Sequence, residues 1–154
     1  MARILVTGMS GAGKTTLLEE LSRRGHRTVD TDYDGWTLPN GGWDELRMAA
    51  LLAQCAEVVV SGTVTNQVRF YGCFDYVILL SVPLCVLLDR VAARSRNPYG
   101  KTPQQRAEIE RFVREVEPLL RRSASMELDG QRAVGELAGE VEQLLGRNAA
   151  PERH

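Results

Sequence analysis

Gly8-Met9-Ser10-Gly11-Ala12-Gly13-Lys14-Thr15 carries the spacing G-x-x-x-x-G-K-[ST] directly behind the apolar run Ile4-Leu5-Val6. Those residue types suit one task, the cradling of a polyphosphate. Glycines let successive backbone N–H groups turn inward toward phosphate oxygens, a lysine ammonium reaches the β and γ phosphates, and the Thr15 hydroxyl can ligate Mg²⁺. The stretch Thr16-Leu17-Leu18-Glu19-Glu20-Leu21-Ser22-Arg23-Arg24 reads as a helix, with Leu17, Leu18 and Leu21 on one face and Gly25 as its stop. The amino end of that helix then faces the phosphates. Gly8, Ser10, Gly11, Ala12, Gly13, Lys14, Thr15 and Thr16 are the expected contacts of a nucleoside triphosphate.

Asp30 and Asp32 form a second group. If a strand persists through them, they project to the same side; one can hold Mg²⁺ through water while the other orients an acceptor hydroxyl and takes its proton. The competing reading of Asp30-Thr31-Asp32-Tyr33-Asp34-Gly35 is a turn whose carboxylates bond local N–H groups, and Asp34 is read that way. Arg90 and Arg94 are four apart on one helix face, with Arg96 just beyond. Planar guanidinium forks suit charge that develops on a transferring phosphoryl group, so Arg94 and Arg96 are catalytic candidates and Arg94 also a nucleotide contact. Arg90 and Lys101 are assigned to solvated surface. Asn66, Gln67 and Arg69 either aim donors at an acceptor or reflect loop polarity, and Trp36 and Trp43 either wall the acceptor site or line a small core. His26 and His154 lack metal-ligand spacing and are taken as surface residues.

The elements that must position these groups follow from periodicity. Strand-like runs recur at Arg3 to Thr7, Arg27 to Asp30, Glu57 to Ser61, Tyr76 to Ser81 and Ser125 to Leu128, separated by helical patterns or loops. That alternation predicts an α/β fold with a parallel sheet. Helices are expected after Pro83 (Leu84, Leu87, Leu88, Val91), from Thr102-Pro103 (Ile109, Phe112, Val113, Val116) with Pro118 kinking or ending it, and through Val134, Leu137, Val141, Leu144 and Leu145. Two polar interruptions, Tyr33 to Gly42 leading into a helix near Gln54, and Arg94 to Lys101, are read as an acceptor-binding segment (about 33–54) and a lid. The reading is one domain over 1–148 and a frayed polar tail at 149–154, beginning to fray near Arg147.

Composition narrows the partners. With 19 basic and 20 acidic residues, the formal charge of −1 supplies no global field for nucleic acid, so a small acceptor is expected. The three cysteines are too widely spaced for zinc pairing and are read as buried reduced thiols. No apolar run reaches the length of a membrane span, and a cytoplasmic monomer or homodimer is expected.

The ordered pattern resembles the small P-loop kinases, the group of shikimate kinase, adenylate kinase and other nucleoside monophosphate kinases. The resemblance runs over about residues 3 to 145: the loop Gly8 to Thr16, the paired aspartates in Val29-Asp30-Thr31-Asp32, Val77 to Pro83 followed by Leu88-Asp89-Arg90 and Arg94, and Glu117-Pro118-Leu119-Leu120 running into Met126-Glu127-Leu128-Asp129. It implies a three-layer fold with strand order 2-3-1-4-5, ATP and Mg²⁺ as cofactors, and Thr15, Asp30 and Asp32 around the metal. It also implies Arg132 near the adenine, where a guanidinium can stack on the base. The chain departs from shikimate kinases at Ser61-Gly62-Thr63, where they carry a triple glycine. The expected activity is transfer of the ATP γ-phosphate to a small hydroxyl- or phosphate-bearing acceptor such as a nucleotide, a nucleoside or a shikimate-like molecule, with Lys14, Asp32, Arg94 and Arg96 catalytic. The rival expectation is an ATP-binding switch or ATPase acting through a protein partner; a GTPase is disfavoured because no N-K-x-D sequence occurs.

Overall fold

The computed structural model describes residues 2–9, 11–93 and 101–149, the last three as backbone only. Ser10 of the phosphate loop and most of the expected lid, with Arg94 and Arg96, lie outside the described residues.

Five short strands, β1 (Arg3–Thr7), β2 (Thr28–Asp30), β3 (Val58–Ser61), β4 (Tyr76–Ser81) and β5 (Met126–Asp129), form one sheet in the order β2-β3-β1-β4-β5. Every neighbouring pair is parallel, as the sequence predicts. Because β1, β3 and β4 are covered on both faces, their residues are apolar in unbroken runs rather than in alternation. Successive side chains still point to opposite faces. Ile4, Val6, Val59, Ile78, Leu80 and Leu128 join one core with α1 (Lys14–Arg23), α3 (Leu84–Ala93), α6 (Val134–Ala149) and Ile109 of α4 (Pro103–Glu115). Leu5, Val58, Val60 and Val77 join the other with α2 (Glu45–Gln54), Phe70 and Phe74.

Local chemistry sets the helix ends. The Asp44 side chain accepts the Arg47 N–H at the start of α2, and Thr102 accepts the Gln105 N–H at the start of α4, with Pro103 in the first turn. Pro118 opens a new helix, α5 (Glu117–Ser123), after Val116. The last helix runs through Ala149, past the Arg147 at which the polar tail was expected to begin.

Two expectations are corrected, and one left open is resolved. Trp36 and Trp43 line a core: Trp43 is fully buried and Trp36 is 8% exposed, both in the second cluster. Loop aromatics show no period, so only tertiary packing reveals their burial. Trp43 Nε1–H donates to Thr31 Oγ1 (2.9 Å), whose hydroxyl donates to the Ser61 carbonyl (2.7 Å), tying the segment to β3. A side chain at Gly62 would place its Cβ 2.2 Å from Thr31 Oγ1, so this junction closes only around glycine. Of the cysteines only Cys55 is buried; Cys73, in a 3₁₀ helix at Gln67–Cys73, and Cys85, in the first turn of α3, are exposed. His26 is not a free surface residue, since it bridges Glu142 (2.8 Å) and Glu57 (3.4 Å) with its side chain 19% exposed.

Arg24 also bonds Glu142 at 2.7 Å, joining the end of α1 to α6. The His26 and Arg24 hydrogen bonds hold the Glu142 carboxyl below the ordinary glutamate value. A depressed acid contributes stability that is complete above its unfolded pKa and is lost as pH falls through the folded one. Glu142→Gln is therefore expected to lower the melting temperature at pH 7 and to remove part of the fall seen below about pH 4. Thermal melts from pH 7 to pH 3 check this, and parallel profiles for the two proteins would contradict it.

Candidate active site

Parallel strands place ligands beyond their carboxyl ends, and the phosphate loop leaves the sheet there, between Thr7 and Lys14. Gly13 serves as the N-cap of α1 in a left-handed conformation, φ +109°, which brings Lys14 into the first helical turn, two residues earlier than the leucine pattern alone implies. Lys14 is buried, 7% exposed, and its Nζ donates to the Gly8 carbonyl at 2.6 Å.

The register of β1, β3 and β2 aligns Val6 with Ser61 and Ser61 with Asp30. It brings the end of β2 beside the start of α1, where the Thr15 hydroxyl donates to Asp30 Oδ2 at 2.7 Å. Asp30 Oδ1 accepts the Asp32 backbone N–H at 3.1 Å. A hydroxyl and a carboxylate in contact are a donor set that fits Mg²⁺, which keeps few protein ligands and completes its shell with phosphate and water. Asp32 is exposed at the mouth of this group. Since β2 ends at Asp30, strand alternation does not place Asp32; a turn does, with Tyr33 N–H bonded to the Asp30 carbonyl and Asp34 at φ +62°. The strand does not persist through Asp32, so from Asp30 onward the turn reading describes this acidic stretch.

Arg90 is the residue that sequence reasoning missed. It is no solvated helix end: its guanidinium donates to the carbonyls of Gly11 and Ala12 (3.2 Å each) and of Gly130 (2.9 Å). It therefore braces the phosphate loop against the turn between β5 and α6. A signal existed, because Arg90 directly precedes Val91 and lies one turn from Leu87, both fully buried, so its stem borders the apolar stripe of α3.

Other polar candidates have partners within the protein. Asn66 clasps the Trp43 backbone through its Oδ1 (2.8 Å) and Nδ2 (3.0 Å), and Gln67 is 2% exposed. Arg69 pairs with Glu45 at 3.1 Å. Arg47 stacks on Trp36, 3.9 Å from the ring centroid, and donates to the Asp34 carbonyl. Arg132 runs along α6 to Glu140 (3.1 Å) and Glu136 (3.3 Å), and these bonds push its pKa above the usual arginine value. Lys101, on the described side of the expected lid, is exposed.

A cleft of about 610 Å³ opens nearby at the ends of β4 and β5, walled by Val82, Pro83, Glu117, Arg121, Glu127 and Asp129 among others. Arg121 bonds both oxygens of Glu127 (2.8 and 3.0 Å), and this pairing, opposed by burial and aided by the Ser81 hydroxyl, holds the Glu127 carboxyl below its usual range.

A family model described as AAA domain matches residues 4–111. The chain belongs to that family. No curated protein matches it significantly. Its fold is that of the small P-loop kinases: it superimposes on shikimate kinase from Acinetobacter baumannii in complex with shikimate with a TM-score of 0.72 at 22% identity, covering 96% of this chain and 94% of that one. Shikimate kinase from Bacteroides thetaiotaomicron gives 0.67 at 18% identity, covering 93% and 97%. A gluconokinase from Sinorhizobium meliloti 1021 gives 0.62 at 19% identity, covering 96% and 93%. At these identities the likeness is one of fold. Among the described residues no helix is long and apolar enough to cross a membrane.

The Arg90 brace yields a direct test. Arg90→Met keeps the aliphatic stem but deletes three bonds to backbone carbonyls, an expected loss of about 2 kcal/mol, or roughly 4–8 °C in melting temperature for a chain of this size. Saturating nucleotide should recover part of the loss by mass action. An unchanged melting temperature would mean that the brace holds nothing.

Proposed function

We propose that this protein is an ATP-dependent phosphotransferase that moves the γ-phosphate of ATP to a small hydroxyl- or phosphate-bearing acceptor. The observation that carries the reading is the contact of Thr15 with Asp30 at 2.7 Å, one residue from Lys14 and beside exposed Asp32. It joins the phosphate-binding and acceptor-facing halves of a transfer site on one sheet edge.

Each residue then has a role. The loop N–H groups and Lys14 bind the β and γ phosphates and stabilise charge on the transferring group. Thr15 and Asp30 would hold Mg²⁺, which would neutralise phosphate charge. Asp32 orients the acceptor hydroxyl and accepts its proton as transfer proceeds. Phosphoryl transfer passes through a loose transition state in most analyses, so positioning and electrostatics supply most of the acceleration. Arg94 and Arg96 are assigned to closing over the donor and Arg132 to the base end of the nucleotide. The fold likeness to sugar, gluconate and shikimate kinases supports a small-molecule acceptor.

A second reading, an ATP-binding switch or ATPase acting through a protein partner, draws on exposed Leu46 (86%) and Val68 (61%), one in α2 and one in the 3₁₀ helix. Stoichiometry separates the two. A kinase hydrolyses ATP slowly alone and rapidly consumes it with the correct acceptor, so a coupled ADP-release screen across nucleoside monophosphates, nucleosides, shikimate, gluconate and hydroxylated antibiotics is the deciding experiment. Turnover that no small acceptor stimulates, but that a protein partner does, selects the switch.

With the acceptor in hand, Lys14→Ala is expected to lower kcat by about 10²-fold or more, the scale of losing one preorganised charge-stabilising donor. Asp32→Asn is expected to leave ATP·Mg²⁺ affinity nearly unchanged while kcat falls by about 10²- to 10⁴-fold, as when a general base is lost. Steady-state kinetics and nucleotide titration check both, and undiminished turnover in Asp32→Asn would remove Asp32 from the chemistry.

A further inference from the structure

Gly13 sits at φ +109°, a left-handed value that its missing Cβ permits, and the same freedom makes the opposite sign of φ about as accessible. Exchanging the two turns over the peptide between Ala12 and Gly13, so that its carbonyl and N–H trade sides. The glycine therefore does not by itself fix which way the Gly13 N–H faces. A trans peptide is planar, with carbonyl and N–H pointing in opposite directions. Holding the Ala12 oxygen sets the Gly13 N–H.

Two residues from outside the loop hold that oxygen. Arg90 Nη1 donates to it at 3.2 Å, and the same guanidinium donates through Nη2 to the Gly130 carbonyl at 2.9 Å, tying the two together. Gly130 supplies the space: a Cβ there would lie 2.5 Å from the Ala12 oxygen. Gly130 has no positive φ, so close approach is what calls for a glycine. This slot lies on the outer side of the loop, where Val91 and Leu87 of α3 pack so closely that a Cβ at Gly11 would lie 2.9 Å from the Val91 side chain. The preceding peptide is held at both ends, its oxygen by Arg90 Nη1 (3.2 Å) and its N–H by the Met9 carbonyl (3.1 Å). With the Ala12 oxygen seated outward, the Gly13 N–H faces inward, beside the amide donors that open α1. In the reversed peptide that N–H would meet the guanidinium, donor against donor, and the oxygen would face the phosphates.

We propose that Arg90 and Gly130 are positioning residues for nucleotide binding: together they seat the Ala12 carbonyl on the outer side of the phosphate loop and so direct the Gly13 N–H at the phosphates. The inference rests on the nucleotide-binding reading of the loop and deepens it, because Arg90 acts through the orientation of a backbone donor. Successive backbone N–H groups bind an anion when they converge on it. A loop that spends part of its time with one peptide reversed offers an oxygen instead, and its apparent affinity falls with the fraction of competent loop.

The test is titration of the unmodified protein, Arg90→Met and Gly130→Ala with two probes, ATP and inorganic tripolyphosphate, each with Mg²⁺ and below the melting range. Both variants should bind both probes about 10-fold or more weakly, the scale of one charge-assisted hydrogen bond to the carbonyl. The two probes should lose affinity by the same factor, because tripolyphosphate carries no base. Gly130→Ala keeps the guanidinium and its charge, so a loss in Arg90→Met alone assigns the effect to charge and overturns the proposal. A loss for ATP without one for tripolyphosphate places Arg90 against the base and also overturns it. So does unchanged affinity in both variants, whatever their melting temperatures. Should Arg90→Met fail to fold, Arg90→Gln, which removes the charge and shortens the reach, takes its place. Should Gly130→Ala fail to fold, the charge alternative is judged by NMR of the unliganded Arg90 variant: a reversing peptide gives conformational exchange at the Gly13 amide, and its absence overturns the proposal. No binding of either probe by the unmodified protein overturns the nucleotide reading itself, and this inference with it.

Discussion

The site depends on how closely the backbone of Gly8 approaches the carbonyl of Leu80. With a would-be Cβ only 2.3 Å from that oxygen, the chain can leave β1 and wrap into the phosphate loop only where no side chain intervenes. From that contact follow the buried Gly8 carbonyl, the placement of Lys14 against it, and the start of α1 under Gly13. The strands contribute by register more than by side chains. Asp30 reaches Thr15 because β2 and β1 both align on Ser61 of β3.

Around the loop the cations divide by what they hold. Arg90 is committed to carbonyls of the loop and of the β5 to α6 turn. Arg47, Arg69, Arg121 and Arg132 are committed to a ring, a carbonyl or carboxylates. Exposed ion pairs of this kind add little stability each, but they decide which charges are already satisfied. Among the described residues around the 33–54 segment, Arg47 and Arg69 are engaged with protein groups. This electrostatic balance differs from a pocket lined with forked cations for a carboxylate.

The 33–54 segment is fastened by the same economy of buried polar groups. Trp43, Thr31, Ser61 and Asn66 exchange side-chain and backbone bonds that fasten 33–54 to the end of β3. The segment is thereby part of the second core as well as the wall nearest Asp32. A buried indole N–H with its partner in place orients the ring as well as burying it.

The strands, the phosphate loop and the apolar faces of the helices were legible in the sequence because each rests on spacing within a single element: three leucines on α1, continuous apolar runs in β3 and β4, a fixed glycine-lysine motif. The acidic stretch at the end of β2 was legible from its residue types, whereas the bond between Asp30 and Thr15 joins two elements and is seen only once they pack. Tertiary structure alone decided which polar side chains serve the site and which serve the fold. Arg90 meets partners 40 to 79 residues away, Thr63 meets Gly8 across 55, and Trp36 and Trp43 are buried with no period to announce it. Periodicity describes one element against an unspecified core. A hydrogen bond between elements depends on register, crossing and the absence of a Cβ at a few glycines, and these quantities exist only once the chain is packed.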